Sequence, residues 1–164
     1  WDNQDAKMAM KKMVDICKSD NQKIAFTLSD LFCVDRHRES FKELIENNVD
    51  ILFANEDEIK AQCETDGFDK AVEYAKSLNM IVAITRSADG SVIVNKEEVI
   101  EINPVHVDRV VDTTGAGDLY AGGFLFGMAK EKDLATCGNY ASIAAAEIIS
   151  HYGARPIVKL SNLI

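Results

Sequence analysis

Short apolar runs alternate with segments of helical spacing along most of the chain, and this alternation constrains the fold more than any other feature. The pattern predicts helices over residues 6–18, 35–48, from 55 onward and 68–78, and strands over residues 24–28, 49–54 and 80–85. Strands that alternate with helices pair mostly in parallel through right-handed crossovers, with helices on both faces of the sheet. The sequence therefore predicts an α/β fold, a three-layer α/β/α sandwich with a mostly parallel sheet.

The second half of the chain continues this organisation. A polar turn over residues 87–90 leads into two hairpin strands, residues 91–94 and 98–102, and two helices follow, to about Ala129 and over residues 134–150. Residues 105–111 lead into a glycine-rich loop, which we expect to connect a strand to a helix. No linker, repeat or low-complexity tract interrupts the sequence, so a single domain is the simplest division.

Charge and hydropathy exclude several classes of protein. The 164 residues include 18 Lys+Arg against 27 Asp+Glu, a formal net charge of −9. Nucleic-acid binding draws mostly on clustered cations, so no nucleic-acid partner is expected. The sequence contains no apolar run long enough for a membrane span and no signal-peptide pattern, which predicts a cytoplasmic protein without a membrane partner. The four widely spaced cysteines predict neither a zinc site nor a disulfide framework.

The predicted sheet also indicates where a ligand would bind. In open α/β sheets, ligands lie beyond the carboxyl ends of the strands. The segments that follow predicted strands are residues 29–30, 55–58, 85–90 and 113–118.

The most informative of these segments contains Gly115, Ala116 and Gly117 ahead of a helix. Such a loop exposes backbone N–H groups, and the helix dipole adds partial positive charge, so the loop can hold an anion. It is not a P-loop, and Tyr120 occupies the third glycine position of a dinucleotide fingerprint. Asp118 follows directly, either as a residue that caps the helix or as a functional carboxylate beside the anion. Gly122, Gly123 and Gly127 indicate close backbone packing of this helix.

Residues 112–118, DTTGAGD, followed by residues 121–124, AGGF, resemble the C-terminal signature of the ribokinase-like (PfkB) carbohydrate and nucleoside kinases. Residues 55–58 (NEDE) resemble the NxxE motif of that family, and residues 85–90 resemble its nucleotide-binding turn. Residues 141–146 and 153–154 resemble its closing helix and loop. The order and spacing agree over residues 24–156. Residues 28–30 and 118–120 look closest to bacterial adenosine-kinase-like members.

The resemblance implies an ATP-dependent phosphotransferase that acts on a hydroxyl of a sugar or nucleoside. Asp118 would be the catalytic base that accepts the proton of the acceptor hydroxyl. The backbone N–H groups of Gly115, Ala116 and Gly117 would form the anion hole for the transferring phosphoryl group. Glu58, through water, and Asn55 would orient Mg²⁺ and phosphate. The competing interpretation of Asn55 and Glu58 is a capping box at a helix start.

Further nucleotide contacts are implied by the same resemblance. Thr85, Ser87 and Gly90 would line the ribose and phosphate side of ATP, although family members often have glycine where this chain has Ser87. A plain turn before a hairpin is the alternative. Asn139 and Ser142 would lie near the adenine, and an ordinary helix with small packing residues is the competing interpretation.

Less specific signals surround these motifs. Asp112, Thr114 and Gly153 stand where many members hold a monovalent cation, K⁺, between two loops. The histidines, His37, His106 and His151, lack metal-ligand spacing and predict surface or hydrogen-bonded structural roles. Residues 36–38 (RHR) are interpreted as a solvated helix start, or as a basic edge near the substrate cleft.

Complete family members place an N-terminal part, with the lid and most substrate-recognising residues, before the region seen here. Residues 1–164 are therefore expected to be the nucleotide-binding and catalytic part alone, and to be inactive by themselves. The complete protein could form a homodimer. A non-catalytic nucleotide- or phosphate-binding module is the alternative function. A nicotinamide dehydrogenase is disfavoured, because no fingerprint loop follows the first strand. Which sugar or nucleoside is the acceptor is not specified by these residues.

Overall fold

The structure, a computed structural model, describes residues 3–163. In this part of the chain the helices are α1 (Gln4–Ser19), α2 (Leu31–Asn48), α3 (Glu56–Gln62), α4 (Phe68–Ser77), α5 (Ala116–Ala129) and α6 (Leu134–Ile149). The strands are β1 (Ala25–Thr27), β2 (Ile51–Asn55), β3 (Ile81–Thr85), β4 (Ser91–Val94) and β5 (Val99–Ile102). They form a five-stranded sheet in the order β1-β2-β3-β4-β5. The predicted α/β class is confirmed, with a mixed sheet.

The chain divides into two compact units. The first contains the residues up to Val82 together with Val94–Glu98, and the second contains Ala83–Ile93 and the residues from Val99 onward. None of the helices among residues 3–163 combines the length and the apolar character that a membrane crossing requires.

In the first unit, β1 and β2 pair in parallel, with Phe26 opposite Leu52. Phe26 stacks edge-to-face on Phe41 of α2, with 5.3 Å between ring centroids. Leu52 and Ile45 are fully buried. Each such side chain contributes about 1.5–3 kcal/mol through the hydrophobic effect, so the packing of α2 on this strand pair is a main source of stability in the unit.

In the second unit, α5 and α6 pack with their backbones in close contact. A Cβ added at Gly123 would lie 2.7 Å from the Tyr140 carbonyl oxygen, and one at Gly127 would lie 2.8 Å from the Cys137 sulfur. The predicted close packing is therefore confirmed at these two glycines. It is wrong at Gly122, where a Cβ would meet no atom within 4 Å.

Two sequence-based expectations are corrected by the backbone. Residues 103–113 contain no strand, so the glycine loop follows an irregular segment rather than a strand. Val105 and Val110 in this segment are exposed, as are His106 and Asp108, so these valines are not buried against a sheet as those of a central strand would be.

The other correction concerns residues 36–38. They lie inside α2, which begins at Leu31 with Asp30 as its N-cap and is kinked at His37, where the backbone is not helical. Arg38 donates from Nε to the Ala61 carbonyl oxygen at 2.8 Å and forms an ion pair with Glu64 at 3.2 Å. Arg38 therefore ties α2 to the end of α3, so the interpretation of residues 36–38 as solvated is wrong for Arg38. The break in helical geometry at His37 lies within the residues where the helix start was predicted.

Candidate functional site

The glycine loop at the start of α5 leaves several backbone donors open. Gly115 is the N-cap with φ of +81° and supplies no side-chain cap. The Ala116 N–H donates to the Thr113 carbonyl oxygen at 3.1 Å, so it serves the turn itself. Within residues 3–163, the N–H groups of Gly115, Gly117 and Asp118 have no hydrogen-bond partner. Unsatisfied N–H groups at a helix N-terminus, together with the dipole, make this end of α5 suited to an anion.

Space at the loop fits the same role. A Cβ added at Gly117 would meet nothing within 4 Å, so this backbone faces open space. A Cβ at Gly115 would lie 3.1 Å from the Cβ of Ala154, so the other side of the loop is packed against protein. The loop is thus supported on one side and open on the other, as a phosphate cradle requires.

Asp118 lies in the first turn of α5 with an exposed side chain. Its carboxylate accepts no hydrogen bond from any residue that the structure describes. A capping aspartate would accept an N–H bond from its own helix, as Asp133 does from Thr136 at 2.8 Å. The geometry at Asp118 therefore favours a carboxylate held free for a ligand over a hydrogen-bonding cap.

Asp112 links the start of the motif to the loop after α6. One carboxylate oxygen accepts the Thr114 N–H at 2.9 Å, and the other accepts the Gly153 N–H at 3.0 Å. Bonds from Thr114 and Gly153, with the charge of His151, hold the pKa of Asp112 at about 2. The three residues assigned to a monovalent cation are thus brought together. Each carboxylate oxygen of Asp112 accepts one N–H bond, and the assignment of a monovalent cation to these residues stays a prediction.

Sequence reasoning missed Glu147, which organises the loop after α6. Its Oε1 atom accepts the N–H groups of Ile157 and Val158, and it lies 3.2 Å from Nε2 of His151. The structural role predicted for His151 is consistent with this contact. Glu147 is the one charged residue in the sequence of α6, and a lone carboxylate on an apolar helix was the signal that could have indicated it.

In the first unit, Asn55 and Glu58 form a complete capping box at the start of α3. The Asn55 side chain accepts the Glu58 N–H at 2.8 Å, and Glu58 accepts the Asn55 backbone N–H at 2.9 Å and the Asn55 amide at 2.8 Å. Burial raises the pKa of Glu58, and the bond from Asn55 partly offsets that effect. The capping interpretation is present in the structure. The magnesium role stays a prediction, and oxygen donors of this kind suit that ion.

The turn after β3 is a short 3₁₀ turn, Ser87–Asp89, that ends at Gly90. Ser87 has φ of +52°, in the left-handed region that favours glycine, which accounts for the glycine that family members often have there. A Cβ at Gly90 would lie 2.1 Å from the Ile102 carbonyl oxygen, so Gly90 is required for packing against β5. Thr85 is half-buried at the end of β3. The nucleotide roles of these residues stay predictions.

Asn139 and Ser142 lie one turn apart on α6. Asn139 is exposed and Ser142 is buried. Directly before Asn139 in the sequence, Gly138 has side-chain atoms of Ile93 and Ile102 within 2.6–2.9 Å of the place where a Cβ would stand. Small residues on this stretch of α6 thus serve packing on the strands of the second unit, and the adenine contact stays a prediction.

Comparison with known proteins gives the class of this fold and site. Residues 2–160 match the pfkB family of carbohydrate kinases. The chain superposes on an adenosine kinase from Sinorhizobium meliloti with a TM-score of 0.96 and 41% identity, over 99% of this chain and 50% of that one. A ribokinase from Thermotoga maritima gives a TM-score of 0.72 and 26% identity, over 87% of this chain and 47% of that one. The fold is therefore a ribokinase-like α/β/α sandwich, and the chain belongs to the PfkB carbohydrate kinase family.

Curated relatives agree with this assignment. A protein from Archaeoglobus fulgidus described as an uncharacterized sugar kinase is 37% identical over 114 residues, which are 69% of this chain and 45% of that protein. A nucleoside kinase from Methanocaldococcus jannaschii is 32% identical over 116 residues, which are 71% of this chain and 37% of that protein. The chain thus spans less than half the length of these curated relatives and about half of the solved structures.

Proposed function

We propose that this chain provides the nucleotide-binding and catalytic-base part of an ATP-dependent kinase that phosphorylates a hydroxyl group of a sugar or nucleoside. The observation that carries the proposal is the start of α5, where open N–H groups of Gly117 and Asp118 lie beside a carboxylate without a hydrogen-bond partner among residues 3–163. The family membership supplies the reaction class, since its relatives are sugar and nucleoside kinases.

In the proposed reaction Asp118 accepts the proton of the acceptor hydroxyl and orients its oxygen toward the γ-phosphorus of ATP. A bond forms between that oxygen and phosphorus, the bond to the β-phosphate oxygen breaks, and ADP leaves. The N–H groups at the start of α5 stabilise the negative charge on the transferring phosphoryl oxygens. A weak base suffices, because the hydroxyl proton becomes acidic late in a loose transition state and positioning supplies most of the acceleration.

Mg²⁺ would be held through water by Glu58, with Asn55 beside it, and would neutralise phosphate charge when bound. Asn55 is exposed and both residues offer oxygen atoms, so the donor set fits a hydrated magnesium ion. A bound K⁺ would be held by carbonyl oxygens near Asp112, Thr114 and Gly153. Thr85, Ser87, Gly90, Asn139 and Ser142 complete the proposed nucleotide contacts.

We further propose that the acceptor is recognised by sequence outside this chain, and that the 164 residues alone transfer little or no phosphate. The chain covers half of the Sinorhizobium meliloti adenosine kinase, which supports this division. Its identity to that enzyme makes adenosine the first acceptor to test. The proposal includes a cytoplasmic location, a small-molecule partner only and a homodimer of the complete protein.

The test joins this chain to the half of the Sinorhizobium meliloti adenosine kinase that it does not cover, and measures ADP release with adenosine and simple sugars. Asp118→Asn should lower kcat by about 10³-fold, within the range that general bases supply, while ATP affinity changes little. Asp108→Asn is the matched control, because Asp108 is fully exposed and precedes the motif. Full turnover by Asp118→Asn would overturn the proposed role. ATP binding without turnover by the unmutated fusion would favour a non-catalytic nucleotide-binding module.

A further inference from the structure

Glu147 is a buried carboxylate on an otherwise uncharged helix, and the reaction described above does not use it. Its side chain is 5% exposed, near the end of α6. Its Oε2 atom is buried without a hydrogen-bond partner in the part of the chain that the structure describes. Burying a charged group is costly unless bonds compensate, so its retention here calls for a role that an apolar residue could not fill.

The described hydrogen bonds of the Glu147 side chain are all made to one short segment, residues 151–158. Oε1 accepts the Ile157 N–H at 2.8 Å and the Val158 N–H at 3.0 Å, and it lies 3.2 Å from Nε2 of His151. Burial would raise the pKa of Glu147, yet the N–H groups of Val158 and Ile157 and the His151 ring outweigh burial and lower it. Glu147 therefore holds the two ends of the segment as an ionised acceptor.

The middle of the same segment supports the glycine loop. The Gly153 N–H donates to Asp112, and Asp112 in turn accepts the Thr114 N–H. Ala154 packs against Gly115, where a Cβ would come within 3.1 Å of the Ala154 Cβ. Residues 153 and 154 thus touch the loop at two points, between the two ends that Glu147 fixes.

Few described interactions other than the bonds to Glu147 and Asp112 hold residues 151–158 in place. Residues 151–159 form no helix or strand, and most of them are exposed. The neighbouring Tyr152 is 81% exposed and Ile157 is 75% exposed, so little apolar burial holds the segment in place. A segment without regular structure or a buried core depends on specific hydrogen bonds for its position.

We propose that Glu147 is a positioning residue for the phosphate-binding loop: it fixes residues 151–158, and these hold Asp112 and Gly115 so that the N–H groups at the start of α5 face the phosphates of ATP. The role of Glu147 in fixing the segment and the loop is inferred from the contacts of residues 151–158 alone. The step to ATP rests on the proposed function.

The first test measures, without any ligand, whether Glu147 fixes residues 151–158 and through them the glycine loop. In the 164-residue chain, Glu147→Ala should speed hydrogen exchange of the Gly153 and Thr114 amides by about tenfold or more, because their shared acceptor Asp112 loses its fixed partner segment. Glu147→Gln keeps an acceptor oxygen for Ile157 and Val158, so it should restore most of the protection. Glu101→Ala is the matched control, since Glu101 is exposed on β5.

The second test measures MgATP affinity of the same variants by calorimetry. Glu147→Ala should weaken binding about tenfold, with Glu147→Gln within about threefold of the unmutated chain, as expected for a preorganised anion site that loses its support. His151→Ala should expose the Gly153 amide while protection at Val158 persists, and His106→Ala, at an exposed histidine, should change neither. If Glu147→Ala fails to fold, the His151→Ala and Glu147→Gln measurements still test whether residues 151–158 position the phosphate-binding loop.

Two results would overturn the proposal. One is unchanged exchange at Gly153 and Thr114 in both Glu147→Ala and His151→Ala. The other is a uniform rise in exchange along α5 and α6, which would make Glu147 a general stabiliser. If the exchange pattern is as expected but the unmutated chain binds no MgATP, the positioning of the loop stands and the proposed function fails.

Discussion

Two helix starts in this molecule each have a carboxylate in the first turn and use it in opposite ways. At the start of α3, Asn55 and Glu58 satisfy each other's backbone and side-chain groups, and Glu58 is buried. At the start of α5, a glycine stands at the N-cap, three N–H groups lack partners among residues 3–163, and Asp118 is exposed. A satisfied N-terminus stabilises its own helix, whereas an unsatisfied one retains its binding capacity for a ligand.

This contrast predicts a large difference between two single substitutions. Asn55→Ala removes the side-chain cap of α3 and the amide donor to the buried Glu58 carboxylate, while the backbone N–H donor of residue 55 remains. It should lower the free energy of unfolding by about 2 kcal/mol. Asp118→Ala removes a side chain without a described hydrogen bond, so it should change that free energy by no more than about 0.5 kcal/mol. Urea unfolding of the 164-residue chain measures both. Equal losses would show that Asp118 is structural after all.

A second substitution separates stability from binding at the start of α5. Gly117→Ala places a methyl group in open space, so the helix should gain up to about 0.8 kcal/mol of stability. The same methyl group would occupy the space through which phosphate approaches the N–H groups, so MgATP affinity should fall about tenfold, which is about 1.4 kcal/mol. Thermal unfolding and calorimetry test the two parts. A rise in stability with unchanged affinity would place the phosphate elsewhere.

The two sites should also respond to acid in opposite directions. Asp112 has its pKa lowered from 3.8 to about 2, so the stability it contributes is complete above pH 4 and is lost as the pH falls toward 2. Burial raises the pKa of Glu58 above 4.5, so its charge costs stability as the pH rises through that raised value. Carboxyl carbon chemical shifts give both midpoints. A Glu58 midpoint below that of Asp112 would contradict the difference in burial.

The smallest expected effect lies at the turn after β3. Ser87 adopts a positive φ, so Ser87→Gly relieves backbone strain while it increases the freedom of the unfolded chain. The two effects nearly cancel, and the free energy of unfolding should change by less than about 1 kcal/mol. Gly90→Ala is the contrast, because its Cβ would collide with the Ile102 carbonyl oxygen. Comparable losses from both substitutions in urea unfolding would show that the turn conformation differs.

The sequence predicted those features of the fold that depend on residues close to one another in the chain. The alternation of apolar runs located the helices and strands, and the capping pattern of Asn55 and Glu58 was recognisable because its partners are three residues apart. Gly122 and Gly123 could not be told apart, because only the packing of α6 decides which glycine meets a backbone. Glu147 was missed for the same reason, since its partners at residues 157 and 158 are defined by the course of a loop without regular structure.

The irregular residues 103–113 show a further limit of the sequence. Val105, Val110 and Val111 suggested a strand, but no periodicity distinguishes a short valine-containing loop from a strand. The open N–H groups at the start of α5 nevertheless agree with the backbone geometry expected from the glycines, and anion binding there stays a prediction. It depends on glycines and a following helix, and it does not require a preceding strand.

We propose that the start of α5 holds phosphate through its backbone N–H groups. The most direct measurement is an amide NMR titration of the 164-residue chain with MgATP, with AMP as the comparison ligand. We expect large chemical-shift changes at the Gly117 and Asp118 amides with ATP and smaller ones with AMP. We expect none at Asp5, whose N–H already donates to the Asn3 side chain at the start of α1. Binding of MgATP that leaves Gly117 and Asp118 unshifted would contradict the claim.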